Sequence, residues 1–436
     1  MSLAAGVMFA LFLIWTIVGM PIGHAMLLSG FVYLFMSGQD VGLVASQSLN
    51  GMFSNFVLMS VPLFIFSADI MNASKITDKL FDFANLLVGR LPGGLAHVNV
   101  IASVIFSGMS GSALADAAGP GRIGIQMMVK AGYRPGFAGA LGASAAIIGP
   151  IIPPSIPMVL YGVVSNTSIG YLFLAGVIPG LLLAGGQMAL IAFIAKKQKL
   201  PVGTMPSRAE AIKTTKSAAP TLLLPVILLG GIYGGAVTPT EAAAVAAAYA
   251  LLLAAFWYRS LGVSMLLSVF AESSRSTAIV AITIAGALVM NWIVASEQVP
   301  EAMGAWIVSM HMSPAMFLLA VNILFLILGC LVDTLLMLLV IVPILMPTVH
   351  ALGIDPVHFG VTAIINMMIG LITPPMGQLV FLISGITGIT VSAITREVWI
   401  FLAVLIAVLF VLVYVPQLTL WLPIHMGYQP VTVAMP

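Results

Sequence analysis

Gly132-Tyr-Arg-Pro135 followed by Gly149-Pro-Ile-Ile-Pro153-Pro154 has a second copy in Gly353-Ile-Asp-Pro356 followed by Gly370-Leu-Ile-Thr-Pro374-Pro375. In each copy the glycine comes 14 positions after the first proline, and the proline pair begins four positions later. Proline has no N–H and its ring clashes with the preceding turn, so an apolar run interrupted this way cannot continue as one helix. Two broken hydrophobic segments at corresponding places in two halves are the sequence mark of a secondary transporter's binding site.

The rest of the chain agrees with a membrane setting. Of its 436 residues 61% are hydrophobic and 6% charged, whereas soluble domains carry about 25% charged residues. The apolar runs are too long and continuous for a β-barrel, whose strands alternate over about ten residues. The fold class expected is therefore an all-α polytopic membrane protein. A single cysteine, Cys330, rules out an intrachain disulfide and a cysteine metal site. The net charge of +2 carries no sign of a nucleic-acid partner, and none is expected. The first apolar run has no basic leader or small-residue cleavage site and reads as a retained span.

Eight full spans are predicted, near 4–20, 22–38, 48–72, 170–195, 218–235, 239–257, 276–295 and 398–416, each close to the ~20 residues a bilayer needs. Residues 93–130 and 313–349 read instead as re-entrant hairpins, because each carries a small polar tip inside an apolar stretch. Such backbone is tolerated at membrane depth only when buried in protein or lining a wet cavity. The broken segments, 137–163 and 357–385, follow the hairpins. Amphipathic arms are expected at 74–90 and 296–312. The order of elements is the same in both halves, giving a first repeat at 1–195, a basic linker at 196–217 and a second repeat at 218–436. Counting crossings makes the two broken segments run in opposite directions, so the repeats are inverted.

Charge provides an independent check. Residues 73–92, 122–136, 196–217, 258–275 and 386–397 fall on one side of this topology and hold all 15 Lys and Arg; the opposite loops hold none. The positive-inside rule makes the basic side cytoplasmic. Hairpin 1 then enters from the cytoplasm and hairpin 2 from outside. The tail with Trp421, His425 and Tyr428 reads as an outer interfacial anchor.

The candidate chemistry sits at the tips and breaks. Ser107, Ser110 and Ser112 offer hydroxyls, and glycines between them let carbonyls be approached. Unwound carbonyls and helix C-termini suit Na⁺, and helix N-termini suit an anion. The competing reading is that small residues let helices pack closely. Asp333 is an intramembrane carboxylate, a functional candidate by its position, with Asp116 as its rough counterpart; either could instead cap a half-helix. Arg122 either binds an anion or marks the cytoplasmic boundary, and the boundary reading is favoured. Thr373, Met376, Gly377 and Gln378 surround the second proline pair, and Ser155 follows the first. Thr238-Pro-Thr-Glu241 reads as a capping box. The histidines show no metal spacing, and no phosphate-binding glycine loop or Ser/His/Asp hydrolase set is evident.

At Ser107-Gly-Met-Ser-Gly-Ser-Ala-Leu-Ala-Asp116, Gly149-Pro-Ile-Ile-Pro-Pro-Ser155, Thr238-Pro-Thr-Glu-Ala-Ala-Ala244 and Gly370-Leu-Ile-Thr-Pro-Pro-Met-Gly377 the chain resembles the large membrane subunit of tripartite ATP-independent periplasmic (TRAP) transporters. The resemblance covers essentially the whole chain. It implies a Na⁺-driven, elevator-type importer of organic acids in a bacterial inner membrane. It also implies a small four-helix membrane subunit, expected here as a separate chain, and a soluble periplasmic substrate-binding protein. Carried over, one Na⁺ site would use Gly329, Gly370, Thr373 and Met376, largely through backbone oxygens. By symmetry a second would use Ser107, Ser110 and Gly149, although Ile152 stands where the second copy has Thr373. Ser112, Asp116, Ser155, Asp333, Thr334 and Gln378 are the expected substrate contacts.

Two other functions remain open at this stage. One is a stand-alone Na⁺/dicarboxylate symporter of similar architecture. Such symporters carry Ser-Asn-Thr at their hairpin tips, but Ser165-Asn-Thr167 here falls in a predicted outer loop. The other is an intramembrane enzyme pairing Asp116 with Asp333, which would need the two carboxyl groups close together.

Overall fold

The computed structural model describes residues 2–74, 76–198, 200–203 and 207–431. Lys75 and Lys199, two of the basic residues counted above, lie outside them, as does the tail beyond residue 431. Every regular element among the described residues is helical.

The repeated motif breaks its helices where the prolines require. In the first half, helices Pro135–Ala146 and Ile156–Ser165 flank a non-helical stretch; in the second, Pro356–Gly370 and Gln378–Thr387 do. Pro135 and Pro356 each sit at the first helical position, where the missing N–H costs nothing. Both Pro–Pro bonds, 153–154 and 374–375, are cis. The two hairpins have paired limbs, Gly94–Ser110 with Ala113–Lys130 and Pro314–Gly329 with Thr334–Ala351. The arms are helices Ile76–Val88 and Val299–Ser309. Ile76, Leu80 and Ala84, with Thr77 and Phe81, form one buried face of the first arm at the spacing of an amphipathic helix.

Seven helices are long and apolar enough to cross a membrane among the described residues: Phe56–Ala73, Ile169–Gln198, Arg208–Tyr233, Pro239–Trp257, Val263–Ser296, Thr334–Ala351 and Val391–Tyr414. The first two expected spans are shorter. Leu3–Ile17 and Ile22–Met36 have 15 residues each, about 22 Å at 1.5 Å per residue. Gly19, at φ +93°, and Pro21 end one and start the other. The span expected over 48–72 is also corrected. It is helix Leu43–Ser54, a break at Asn55, and a helix resuming from Phe56. The Asn55 Nδ2 donates to Gly51 O at 3.0 Å, taking the carbonyl that the backbone ladder would use. The stretch 196–217 is not all linker. Helix persists to Gln198 and restarts at Arg208, where Ser207 and Glu210 make a capping box.

The helices pack in two groups. In one, Val263–Ser296 lies against Ile22–Met36, Leu43–Ser54 and Ser60–Ala73, and Pro239–Leu252 packs on Ser60–Ala73 and Arg208–Tyr233. In the other, Val391–Tyr414 packs on Pro135–Ala146, Pro314–Gly329 on Pro356–Gly370, and Ile169–Gln198 on Val391–Tyr414 and the C-terminal helix Gln417–His425. The arms bridge the groups, each touching a hairpin limb. The tail folds back rather than trailing away: Tyr428 Oη and Val431 N both donate to Asp355 Oδ2, at 3.0 and 3.1 Å.

Candidate functional site: two hairpin tips on two broken helices

In the first half the tip is docked on the break. The first limb ends at Ser110, and Gly111 turns the chain at φ +61°. Ile156 N donates to Gly111 O at 3.3 Å, and a Cβ at Gly111 would lie 2.7 Å from Pro154 O. Only glycine combines that φ with that approach. Ser112 caps the second limb, accepting from Ala115 N. Asp116 is therefore not the cap; it lies a turn further on and is fully buried. Its Oδ1 accepts from Ser103 Oγ at 2.9 Å, while Oδ2 has no hydrogen-bond partner among the described residues. A Cβ on Gly149 would sit 3.4 Å from that Oδ2 and 3.2 Å from Ser112 O, so the break, the tip carbonyl and the unpaired carboxylate oxygen converge. Ser110 Oγ is buried without a partner among the described residues. Ser107 Oγ is spent on Val104 O within its own helix. Ser155 caps the second half-helix through Met158 N and donates to Pro150 O.

The second half brings backbone against backbone. The first limb of hairpin 2 ends at Gly329 and the first half of the broken helix at Gly370. A Cβ on Gly370 would be 2.7 Å from Gly329 Cα and 2.8 Å from Gly329 O. Two helix C-termini, each the negative end of a helix dipole, thus meet at one point. Thr373 N bonds Gly370 O at 3.0 Å, and Thr373 Oγ1 donates to Ile369 O at 2.8 Å. Asp333 caps the second limb through Leu335 N at 2.8 Å, and its Oδ2 accepts from Gln378 Nε2 at 3.0 Å. Thr334 Oγ1 is buried without a partner among the described residues, whereas Met376 is 59% exposed. The capping alternative holds for Asp333, and Thr238 with Glu241 likewise forms a capping box. Asp116 and Asp333 keep separate partners, one set in each half.

Several polar residues that tie the hairpins to their neighbours escaped the sequence reading. Asn322 and Asn366 join hairpin 2 to the second broken helix, with Asn366 Nδ2 2.8 Å from both Asn322 O and Oδ1. Asn72, on the span before hairpin 1, donates to Ala115 O at 3.0 Å; Asn291, on the span before hairpin 2, donates to Leu339 O at 2.8 Å. Each acceptor lies by a widened turn, Ala117–Gly121 or Met337–Ile341, with a proline at 120 or 343. Pro343 has no N–H to give Leu339 O, and Asn291 supplies one instead. A polar residue near the end of each third span was the available signal.

The sequence matches the family described as the DctM component of the tripartite ATP-independent periplasmic transporter over residues 6–418. It is 45% identical over 411 residues to the sialic acid TRAP transporter large permease SiaM of Vibrio cholerae, covering 94% of this chain and 96% of that one. It is 40% identical to the C4-dicarboxylate large permease DctM of Pseudomonas aeruginosa over 86% and 87% of the two chains. The 2,3-diketo-L-gulonate large permease YiaN of Escherichia coli is 37% identical over 92% and 94%. Among solved structures, the Alcanivorax borkumensis YdaH transporter has the same fold, with a TM-score of 0.61, 13% identity, and 88% and 89% of the two chains covered.

Proposed function

We propose, from the premise that this chain belongs to the DctM family of tripartite ATP-independent periplasmic transporters, that it imports small organic acid anions together with Na⁺. It is a large permease and not an enzyme, and a tripartite system brings with it a substrate-binding protein and a small membrane subunit. The small subunit is proposed as a separate four-helix chain, and the setting as a bacterial inner membrane with the basic loops cytoplasmic.

The observation that carries the Na⁺ reading is the meeting of Gly329 and Gly370 beside Thr373. A hard monovalent cation is held weakly and reversibly by neutral carbonyl and hydroxyl oxygens, and helix C-termini aim such carbonyls at it. Met376 would contribute its backbone carbonyl, since its side chain is exposed. Ser107, Ser110 and Gly149 are the proposed counterpart, with the unpaired Ser110 Oγ as the available hydroxyl. The substrate carboxylate would lie among Ser112, Asp116, Ser155, Asp333, Thr334 and Gln378. Ser112, Ser155 and Asp333 mark helix N-termini, where backbone N–H groups attract an anion.

Substrate names among the relatives support the class: sialic acid, C4-dicarboxylate and 2,3-diketo-L-gulonate all contain a carboxyl group. The two packing groups support an elevator, in which the hairpins, broken helices and last span move as a body against the other spans. The inverted orientation of the halves would let one moving body close on either face.

The test is uptake into proteoliposomes holding this chain and its small subunit. Labelled N-acetylneuraminate, a C4-dicarboxylate and a 2-oxo sugar acid are offered with and without a Na⁺ gradient and the binding protein. Uptake requiring both is expected. Uptake that ignores Na⁺ would sink the coupling, and uptake without any binding protein would move the chain to the stand-alone symporters.

A further inference from the structure

The structure contains a cavity that the hairpin-tip site does not use. Its volume is about 620 Å³ and it is lined by Asn72, Thr77, Asp78, Arg122, Gln126 and Arg259, among others. That is the size range of a small-molecule pocket. It lies on the seam between the two packing groups. Arg122 and Gln126 belong to the second limb of hairpin 1, whereas Asn72 ends a span of the other group and Arg259 precedes its long helix Val263–Ser296. The wall is built rather than incidental. Asn72 Nδ2 is tied to Ala115 O, Thr77 Oγ1 donates to Asn72 Oδ1 at 3.4 Å, and the kinked Gly119 leaves room for the Asn72 amide.

The charge of this cavity is unbalanced. Among the described residues two arginines, Arg122 and Arg259, line it with one aspartate, Asp78, all three exposed, and neither arginine makes an ion pair. Like charges sharing a partly enclosed space repel, and a carboxylate between them removes the repulsion while accepting paired N–H bonds. The Gln126 amide and Ser260 hydroxyl add neutral polar groups for the remainder of such a ligand.

We propose that this cavity is a second binding site for a soluble carboxylate anion, distinct from the hairpin tips. Arg122 travels with the moving group and Arg259 stays with the fixed one, so the site exists only while the two are apposed as seen here. The proposal rests on the reading of the chain as an organic-anion carrier. It also replaces the sequence reading of Arg122 as a boundary marker.

The test reads occupancy directly, without a Na⁺ gradient or net transport, so its failure is distinguishable from failure of the coupled-uptake reading. Cys330 is replaced by serine and Ser260→Cys is introduced into the chain in complex with its small subunit, in phosphatidylcholine liposomes. Labelling by a membrane-impermeant maleimide is timed with N-acetylneuraminate or succinate as probe. Protection at millimolar probe is expected. Arg122→Gln and Arg259→Gln should each raise the half-protecting concentration about tenfold, the loss of one charge-assisted partner. Arg122→Lys and Arg259→Lys should keep part of the protection, which separates lost charge from lost fold. Protection unchanged in the double glutamine variant would overturn the proposal. So would protection that follows added anionic lipid instead of the soluble probe.

Discussion

The two hairpin tips are built from the same plan and finished differently. The first is sealed, with Ser107, Ser110, Asp116, Gly149 and Ser155 all buried, and it keeps one carboxylate oxygen and one hydroxyl unpaired. The second is open, with Pro375, Met376 and Gln378 exposed; its carboxylate accepts from Leu335 N and Gln378 Nε2, while Thr334 Oγ1 is buried without a partner among the described residues. A buried polar atom left unpaired costs free energy unless something completes it. Both halves therefore leave a hydroxyl for a ligand atom, Ser110 Oγ and Thr334 Oγ1, and the first adds a carboxylate oxygen. In the second the carboxylate instead ties hairpin to broken helix through Gln378. Asp333 stands at the cap position that Ser112 holds in the first half, and Asp116 lies a turn beyond that cap.

Gly370→Ala should give the largest effect. Its Cβ would press on the Gly329 backbone, which cannot rotate away as a side chain can. Overpacking of this kind costs roughly 1–3 kcal/mol, or about tenfold and more in Na⁺ affinity. Na⁺-activation curves for uptake check it, and an unaltered curve would remove this contact from the ion site.

A direct contest between the aspartates comes next. Asp333→Asn keeps a good capping oxygen and a partner for Gln378, so uptake within about twofold of the parent is expected. Asp116→Asn replaces a buried acceptor oxygen that a ligand could use by an amide N–H₂ donor. A loss of roughly tenfold in uptake is expected, of the size of one lost charge-assisted partner. Equal losses in the two variants would erase the distinction drawn between the halves.

The asparagine ties should be alike. Asn72→Leu and Asn291→Leu each delete one hydrogen bond from a span to a hairpin, worth about 0.6 kcal/mol on average inside membrane proteins. Thermal unfolding of the purified complex should show small, similar losses, and a large loss at one position alone would break the equivalence. Thr238→Ala removes a cap worth about 1 kcal/mol. It should lower stability slightly and leave Na⁺ activation untouched.

Legibility followed chemistry that is local in the chain. Proline and glycine act on their own backbone, so Gly149, Pro153 and Pro154 announced one break, and Gly370, Pro374 and Pro375 the other, without any tertiary knowledge. Capping is equally local, and Thr238 with Glu241 was readable for that reason. The interruption at Asn55 was not, because an asparagine in an apolar run does not force a break; it does so only when its amide turns to a carbonyl four residues back. The pairs Asn322 with Asn366, Ser103 with Asp116, and Asn291 with Leu339 O depend on which helix faces meet. Composition placed these residues in an apolar setting but could not supply their partners. Arg122 illustrates the same limit, since nothing local in the chain shows that it lines one cavity with Arg259.

The most direct measurement is the Na⁺ dependence of thermal unfolding for the chain in complex with its small subunit, with choline as the control cation. A ligand that binds the folded state raises stability in proportion to the logarithm of its concentration above Kd. The expected result is stabilisation by Na⁺ and not choline, with Thr373→Val moving the half-effective Na⁺ concentration upward about tenfold, as for loss of one oxygen ligand. Identical Na⁺ curves for the parent and Thr373→Val, or equal stabilisation by choline, would contradict a Na⁺ site where Gly329, Gly370 and Thr373 meet.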